Sequence, residues 1–264
     1  MSGDPLLHGL AVLGLTWPFA WITVRTRVLI RGGVLMAGCI ALCVVLGQGW
    51  AGLVPLFLFL LSGVALGRLN RKARTDAKHG RPRDAVQVFC NGGIYALLAL
   101  FGGFRADLWM AISICTATCD TWASEIGLYA RWPTVDIVRW RRVSPGLSGG
   151  ISLAGTLGGM AGALCMGICI AALATGPNLG QGLLLTAFSA SLTLAAALLY
   201  ATFAVGGMLL DSVLGAVLQV KYNDGDGLQD SGTRMAAGLP WMTNDLVNLL
   251  SNALTVVAAR VLLG

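Results

Sequence analysis

A chain of 264 residues that is 56% hydrophobic and only 11% charged lies far from the roughly 25% charged residues of soluble domains. With a mean hydropathy of +0.76, this excludes an ordinary soluble globule and points to an integral membrane protein with more spans than a single anchor. The net charge of +6 gathers in a few short connections without aromatic-basic repeats, which points to topology and anionic partners rather than nucleic acid.

Eight apolar segments follow in order, at about 5–24, 28–47, 50–67, 85–104, 107–130, 150–174, 182–220 and 240–262. They predict an all-α, polytopic transmembrane helix bundle forming a single domain over 1–264. The N-terminus carries neither a basic region nor a cleavage site, so the first segment reads as a membrane helix and not a signal peptide. The connections around 25–31, 68–84, 131–148 and 221–238 hold most of the Lys and Arg, whereas 48–49, 105–106 and 175–181 contain only Arg105. The positive-inside rule then places the basic set in the cytoplasm and both termini outside. The cysteines (Cys39, Cys43, Cys90, Cys115, Cys119, Cys165, Cys169) fall nearly all within apolar segments and form no CxxC. They read as small buried side chains rather than zinc ligands or redox groups. His8 and His79 have no companion ligand nearby in sequence.

The connection from Arg68 to Asp84 carries Arg68, Arg71, Lys72, Arg74, Lys78, Arg81 and Arg83. It reads both as an anchor on anionic headgroups and as a phosphate-gathering surface, and the two are compatible. The fourth segment opens with Asp84, Gln87 and Asn91 at i, i+3 and i+7, on one helix face. In the fifth, Asp120 and Ser124 share a face, while Glu125 is turned roughly 140° from Asp120 on a regular helix. A carboxylate at such depth costs on the order of 2.5 kcal/mol, so Asp120 is the residue around which function is expected. Glu125 is expected to serve a different neighbour, a loop arginine being one candidate.

Next, Arg139, Arg141 and Arg142 lead into Ser148-Gly149-Gly150 at the start of the sixth segment. A Ser/Gly loop opening a helix offers free amides and the positive dipole end, hence a phosphate site. A flexible turn with topology-setting arginines remains the alternative, and no Walker A sequence is present. Gly155, Gly158, Gly159 and Gly162 predict a close packing face. Gly206-Gly207 interrupts the seventh segment, as a helix break or a packing point. Asp211 and Gly215 share a face beyond it. The loop 221–238 reads as solvated, because Asp224 and Asp226 do not match calcium-loop spacing. Asn244, Asn248 and Asn252 recur every four residues in the eighth segment, with Asp245 beside them.

Gln87, Asn91, Asp120, Asp211, Asn244, Asp245 and Asn248 thus come from four spans, nearly all in the cytoplasmic half. Carboxylates do not gather in a membrane without a cation, and an all-oxygen ligand set suits Mg²⁺. Carboxylates, Mg²⁺, arginines and a glycine loop are the parts of a phosphoryl-transfer site.

The same residues carry a resemblance. The blocks Gly80-Arg-Pro-Arg-Asp-Ala-Val-Gln-Val-Phe-Cys-Asn-Gly92, Asp120-Thr-Trp-Ala-Ser-Glu-Ile-Gly127, Arg141–Leu153, Gly206–Ala216 and Asn244–Asn248 resemble the integral-membrane family that contains phytyl-phosphate kinase and transmembrane protein 19. The resemblance implies a kinase that converts an isoprenoid monophosphate to the diphosphate with a nucleoside triphosphate, CTP before ATP. Geranylgeranyl or a longer prenyl chain is as compatible as phytyl. On these blocks, Asp120, Asp211 and Asp245 are expected to hold Mg²⁺. Arg141 and Arg142, with the amides of Ser148, Gly149 and Gly150, are expected to clamp phosphate. Asn91, Asn244 and Asn248 would orient ligands, with Gln87, Ser124, Glu125, Lys72 and Arg74 in support. The acceptor is already ionised near neutral pH, so no strong general base is required. The rival reading is a transporter or flippase of an anionic lipid or metabolite, which should carry polar residues toward the outer face.

Overall fold

The computed structural model describes residues 14, 18–70, 82–175, 183–223, 225 and 227–264. Residues 18–25 form helix α1. Then come α2 (Arg31–Gln48), α3 (Leu53–Asn70), α4 (Ala85–Phe101), α5 (Ala106–Ala130), α6 (Leu153–Thr175), α7 (Leu183–Val217) and α8 (Asn244–Leu263). The helical bundle expected from hydropathy is therefore what the chain forms. Five of its helices are long and apolar enough to cross a membrane.

The helices alternate in direction, and their two ends differ in chemistry. At one end Arg105 donates to the Leu263 carbonyl at 2.8 Å and Arg260 to the Gly102 carbonyl at 2.8 Å. These cations satisfy carbonyls at the C-terminal ends of α8 and α4, where the dipole is negative. The other end collects the start of α4, α6 and α8, the finish of α5 and α7, and the two longest described connections.

α5 is the central helix, packed against α3, α4, α6, α7 and α8. α6 lies closest to it, for the reason the glycine spacing predicts. A Cβ on Gly159 would sit 2.8 Å from the Cys119 carbonyl, one on Gly158 would be 2.7 Å from Ile126, and one on Gly162 2.7 Å from Trp122. These glycines let α6 rest directly on the α5 stretch that contains Asp120. α2 packs on α4 at the side of the bundle.

Four features sharpen or correct the sequence reading. First, α7 runs unbroken through Gly206-Gly207. Gly207 is a packing point, since a Cβ there would sit 2.6 Å from Thr116 of α5 and 2.5 Å from Thr255 of α8, whereas Gly206 faces open space. Second, the connection after α5 is not a plain loop. It forms a three-stranded antiparallel sheet in the order β2-β1-β3, from β1 (Thr134–Asp136), β2 (Arg142–Val143) and β3 (Gly150–Ile151). Third, α6 accordingly starts at Leu153, with the Ser152 hydroxyl accepting from the Gly155 amide at 3.1 Å. Fourth, the stretch after α7 contains a hairpin, β4 (Lys221–Tyr222) with β5 (Met235–Ala237), and most of its described residues are exposed, as a solvated loop would be. Asp224 and Asp226 lie outside the described residues, as do His8 and His79.

The sheet and hairpin are tied to the end of α7. Arg139 and Lys221 both donate to the Ala216 carbonyl, at 3.1 and 3.3 Å, which satisfies the negative helix end with two cations. Burial pushes the Lys221 ammonium below its usual range, against the pull of Asp230 and Asp136. Asp136 accepts from the Val138 and Arg139 amides at 2.9 and 2.7 Å and from the Arg139 guanidinium at 3.1 Å. Burial alone would raise this carboxyl, but those hydrogen bonds and the Arg139 charge outweigh it and hold it below the usual range.

Candidate functional site

From Trp109 to Cys119 every residue of α5 is buried. At Asp120 the helix emerges into a polar cavity of about 260 Å³. The cavity gathers Gln87 and Asn91 from α4, Asp120, Ser124 and Glu125 from α5, Asp211 and Ser212 from α7, and Asn244, Asp245 and Asn248 from α8. Four sequence-distant polar stripes thus meet, as the depth argument expects.

Asp120 and Asp211 face each other closely enough for the charge of one to act on the other. Asp211 is held in place from α8. The Ser251 hydroxyl donates to its Oδ1 at 2.9 Å. In the amide orientation that satisfies both ends of the side chain, Asn248 donates to Asp211 Oδ1 at 3.2 Å and to the Asn244 carbonyl at 2.9 Å. Glu125 lines the same cavity yet serves a different neighbour, the Arg83 guanidinium, and it packs over Gly67 of α3. Burial lowers the Arg83 pKa, and the charge of Glu125 opposes that. Arg83 itself is fixed by its backbone. Its amide donates to the Val28 carbonyl at 2.9 Å, and its carbonyl accepts from Ile30 at 3.1 Å.

The α4 stripe divides by role. Asp84 and Gln87 form a capping box, with the Gln87 amide donating to Asp84 at 2.9 Å and Gln87 Oε1 accepting from the Asp84 amide at 3.2 Å. Asn91 donates to the Gln87 carbonyl at 2.8 Å. The asparagine stripe of α8 divides likewise. Asn252 lies a turn deeper than the cavity and donates to the Ser113 carbonyl at 3.1 Å, an interhelical tie to α5.

The Ser148-Gly149-Gly150 turn forms one wall of the cavity, but not as a helix N-terminus. The Ser148 amide donates to Asp230 at 3.0 Å and the Gly150 amide to the Leu147 carbonyl at 2.9 Å, so both are already committed. Ser148 Oγ donates to Gln219 at 2.7 Å. Gly149 has φ of +85°, and a Cβ on it would run into the Ala216 backbone at 2.5 Å, so only glycine fits there. Arg141 and Arg142 do not line the cavity. Both are exposed, Arg142 paired across from Val135 in the sheet. Lys72 and Arg74 lie outside the described residues.

Two charged lining residues were not singled out from sequence. Arg83 is the only arginine among the described lining residues, and its signal was position, directly before the Asp84 cap. Asp230 reaches the cavity from the hairpin connection, which hydropathy presents as solvent-facing. The lining therefore carries five carboxylates (Asp120, Glu125, Asp211, Asp230, Asp245) and one guanidinium. Around them stand three helix N-termini, those of α4, α6 and α8, whose first turns contribute Gln87, Thr156 and Asn244. Among the described residues no three His, Cys, Asp or Glu side chains converge as a closed metal cage. Asp245 therefore shares the cavity with Asp120 and Asp211 without completing a three-carboxylate cluster.

The sequence matches the family described as integral membrane protein DUF92 over residues 14–256, so the chain belongs to that family. It is 29% identical to an uncharacterized membrane protein of Synechocystis over 227 residues, 82% of this chain and 74% of that protein. It is 30% identical to an uncharacterized membrane protein of Methanocaldococcus jannaschii over 148 residues, 54% of this chain and 62% of that one. Protein PGR of Arabidopsis thaliana is 26% identical over 262 residues, 86% of this chain and 85% of its own length. No solved structure matches.

Proposed function

We propose that this DUF92-family membrane protein is an isoprenoid-phosphate kinase, transferring the γ-phosphoryl group of CTP or ATP to a prenyl monophosphate. One observation carries the reading: a cavity with five carboxylates and one guanidinium, rimmed by three helix N-termini. The N-termini favour anions. The carboxylates repel a bare polyphosphate, so they favour one that arrives with a divalent cation. The resemblance of the Asp120–Gly127 block to the phytyl-phosphate kinase family supports the same reaction class.

The donor set fits Mg²⁺. Asp120 and Asp211 both line the cavity, Ser212 and Asn248 add neutral oxygens, and neither His nor Cys is among the described lining residues. Mg²⁺ is commonly bound by one or two carboxylates plus substrate phosphates and water, so the lack of a closed protein cage agrees with a cation shared with the nucleotide. When bound, it would neutralise charge on the transferring phosphates. The chain's own groups then have defined tasks. Asn248 and Ser251 hold Asp211 in one orientation, Gln87 and Asn91 offer amide dipoles, and Arg83 offers charge to phosphate oxygens. An acceptor phosphate oxygen forms the new bond to the γ-phosphorus as the β–γ bridging bond breaks, releasing the nucleoside diphosphate. The acceptor's second pKa is near about 6, so it needs no general base. Transport is disfavoured by the unbroken burial from Trp109 to Cys119, which seals the route beyond Asp120. With the positive-inside rule, the cavity faces the cytoplasm.

The test is phosphoryl transfer by the purified full-length protein in nanodiscs, with γ-labelled CTP or ATP, Mg²⁺ and geranylgeranyl monophosphate. Label is expected in a lipid diphosphate, lost on chelation and in Asp120→Asn. No transfer from either nucleotide to phytyl, geranylgeranyl or longer prenyl phosphates would overturn the reading.

A further inference from the structure

A second cavity lies beside the first, and its chemistry is the opposite. It measures about 480 Å³ and is walled by apolar side chains of α1–α4, among them Phe19, Ile22, Ile40, Leu56 and Phe57. The Phe19 and Phe57 rings meet edge to face at 5.9 Å and close one side of it. The two cavities adjoin at three residues. Arg83, Gln87 and Asn91 line both.

We infer that this groove is the seat of the acceptor's hydrocarbon tail, and that Arg83, with Gln87 and Asn91, binds the acceptor's phosphate where the groove meets the polar cavity. This rests on the kinase reading and adds which part of the site takes which substrate.

Three observations converge on it. The first is charge. Arg83, the one arginine among the described lining residues of the polar cavity, also lines the groove, whereas Asp120 and Asp211, which suit the nucleotide's cation, line the polar cavity alone. Two anionic substrates in one small site need separate countercharges, and this arrangement supplies them. The second is attachment. Arg83 is anchored through its backbone to the connection between α1 and α2, by its bonds to Val28 and Ile30. The same connection supplies Leu29 to the groove wall. Head site and tail site are thus built on one local unit. The third is size. A volume of 480 Å³ falls in the range of about 300–1,000 Å³ that holds one small apolar ligand, so it suits a single chain rather than a two-chain phospholipid. Branched and aromatic walls suit a methyl-branched prenyl chain.

The pairing of Arg83 with Glu125 does not oppose this role. A guanidinium that feels a nearby carboxylate in a partly apolar setting binds a phosphate dianion without leaving a bare buried charge when the site is empty.

The experiment is equilibrium binding of geranylgeranyl monophosphate to the full-length protein in nanodiscs, without nucleotide, with geranylgeraniol and inorganic phosphate as comparison probes. The same preparations are assayed for transfer. Arg83→Gln is expected to weaken binding of the monophosphate at least about tenfold and leave geranylgeraniol binding unchanged. Arg83→Lys is expected to restore most of it. Ala41→Trp, which fills the groove, is expected to weaken both lipids and leave the KM for nucleotide unchanged. Arg83→Gln combined with Glu125→Gln guards against a fold lost to an unpaired carboxylate, and is expected to bind as weakly as Arg83→Gln alone. Monophosphate binding unaffected by both Arg83→Gln and Ala41→Trp would overturn the assignment. Should that occur while transfer proceeds, the kinase reading stands and the groove assignment falls. If the binding pattern is as expected but no nucleotide donates, the assignment stands and the kinase reading falls.

Discussion

The two halves of α5 are one continuous helix with opposite environments. Ala106–Cys119 contains Ser113, Thr116 and Thr118, all buried, and lines neither the polar cavity nor the apolar groove. Asp120–Ala130 contains Asp120, Ser124 and Glu125 and floors the polar cavity. Polar residues as such do not separate the halves. What separates the buried threonines from the carboxylate is whether the helix can satisfy them; Ser113 Oγ is buried with no hydrogen-bond partner and is the exception in the sealed half. Thr116 donates to the Ile112 carbonyl at 2.8 Å and Thr118 to the Ile114 carbonyl at 2.7 Å, so these hydroxyls are silent within their own helix. A carboxylate has no proton to return to the helix, and it must find a cation or donors elsewhere. That is why the cavity begins at Asp120 and not at Thr116.

The largest expected effect tests this difference directly. Asp120→Asn should reduce phosphoryl transfer about a hundredfold or more, the scale seen when one electrostatic group at a reacting centre is removed. Thr116→Val and Thr118→Val, both buried within about one turn of it, should keep transfer within about twofold, because each only loses a bond to its own helix. A transfer assay on protein of matched thermal stability reads the contrast. Equal losses in all three would erase the distinction between the halves.

A second contrast concerns how the sealed half is packed. Gly207→Leu must displace Thr116 and Thr255, and overpacking of this kind costs about 1–3 kcal/mol. Gly206→Ala meets open space and replaces glycine within a helix, a gain of up to about 1 kcal/mol. Thermal unfolding in detergent should therefore move in opposite directions for neighbouring residues. Two losses of similar size would instead indicate that α7 needs both glycines for bending.

The wall of the open half gives a smaller effect. Ser148→Ala leaves Gln219, which is 1% exposed, without its donor, at a cost of about 1–3 kcal/mol. Because Ser148 joins the sheet to the hairpin, proteolysis at 131–152 and 218–243 should accelerate before the helices unfold. Unchanged cleavage would mean that the Asp230 contact alone holds the wall.

Helices, their order and the meeting of Asp120, Asp211, Asn248 and Asn91 were legible in the sequence, because hydropathy and the expense of buried polar groups speak through single residues and short spacings. The glycine face of α6 was legible for the same reason. The rest was set by long-range partners. Gly206-Gly207 has the composition of a break, and only Thr116 and Thr255 reveal it as a contact. Arg141 and Arg142 have the composition of a phosphate clamp, but the short sheet turns them outward. Arg83 was hidden among seven basic residues of one connection. Its position depends on a backbone pairing with Val28 and Ile30 that no local pattern encodes.

The smallest expected effect separates the sheet from the cavity by pH. Asp136 lies in β1, outside the helices, and its carboxyl is held below the usual range despite burial. Such a group stabilises the fold fully above its unfolded pKa, near about 3.9, and loses that contribution as pH falls through its folded value. The wild-type melting temperature should therefore fall as pH drops from about 5 toward 3, with other carboxylates contributing to the slope. Asp136→Asn cannot titrate at this position and loses the Arg139 ion pair at every pH. Its melting temperature should be lower than wild type at neutral pH, and the gap should narrow as pH falls. Only the difference between the two curves reports on Asp136, since every other group is common to both proteins. A constant gap from pH 7 to pH 3 would mean that the hydrogen bonds to the Val138 and Arg139 amides, and not the charge, are what Asp136 contributes to the wall.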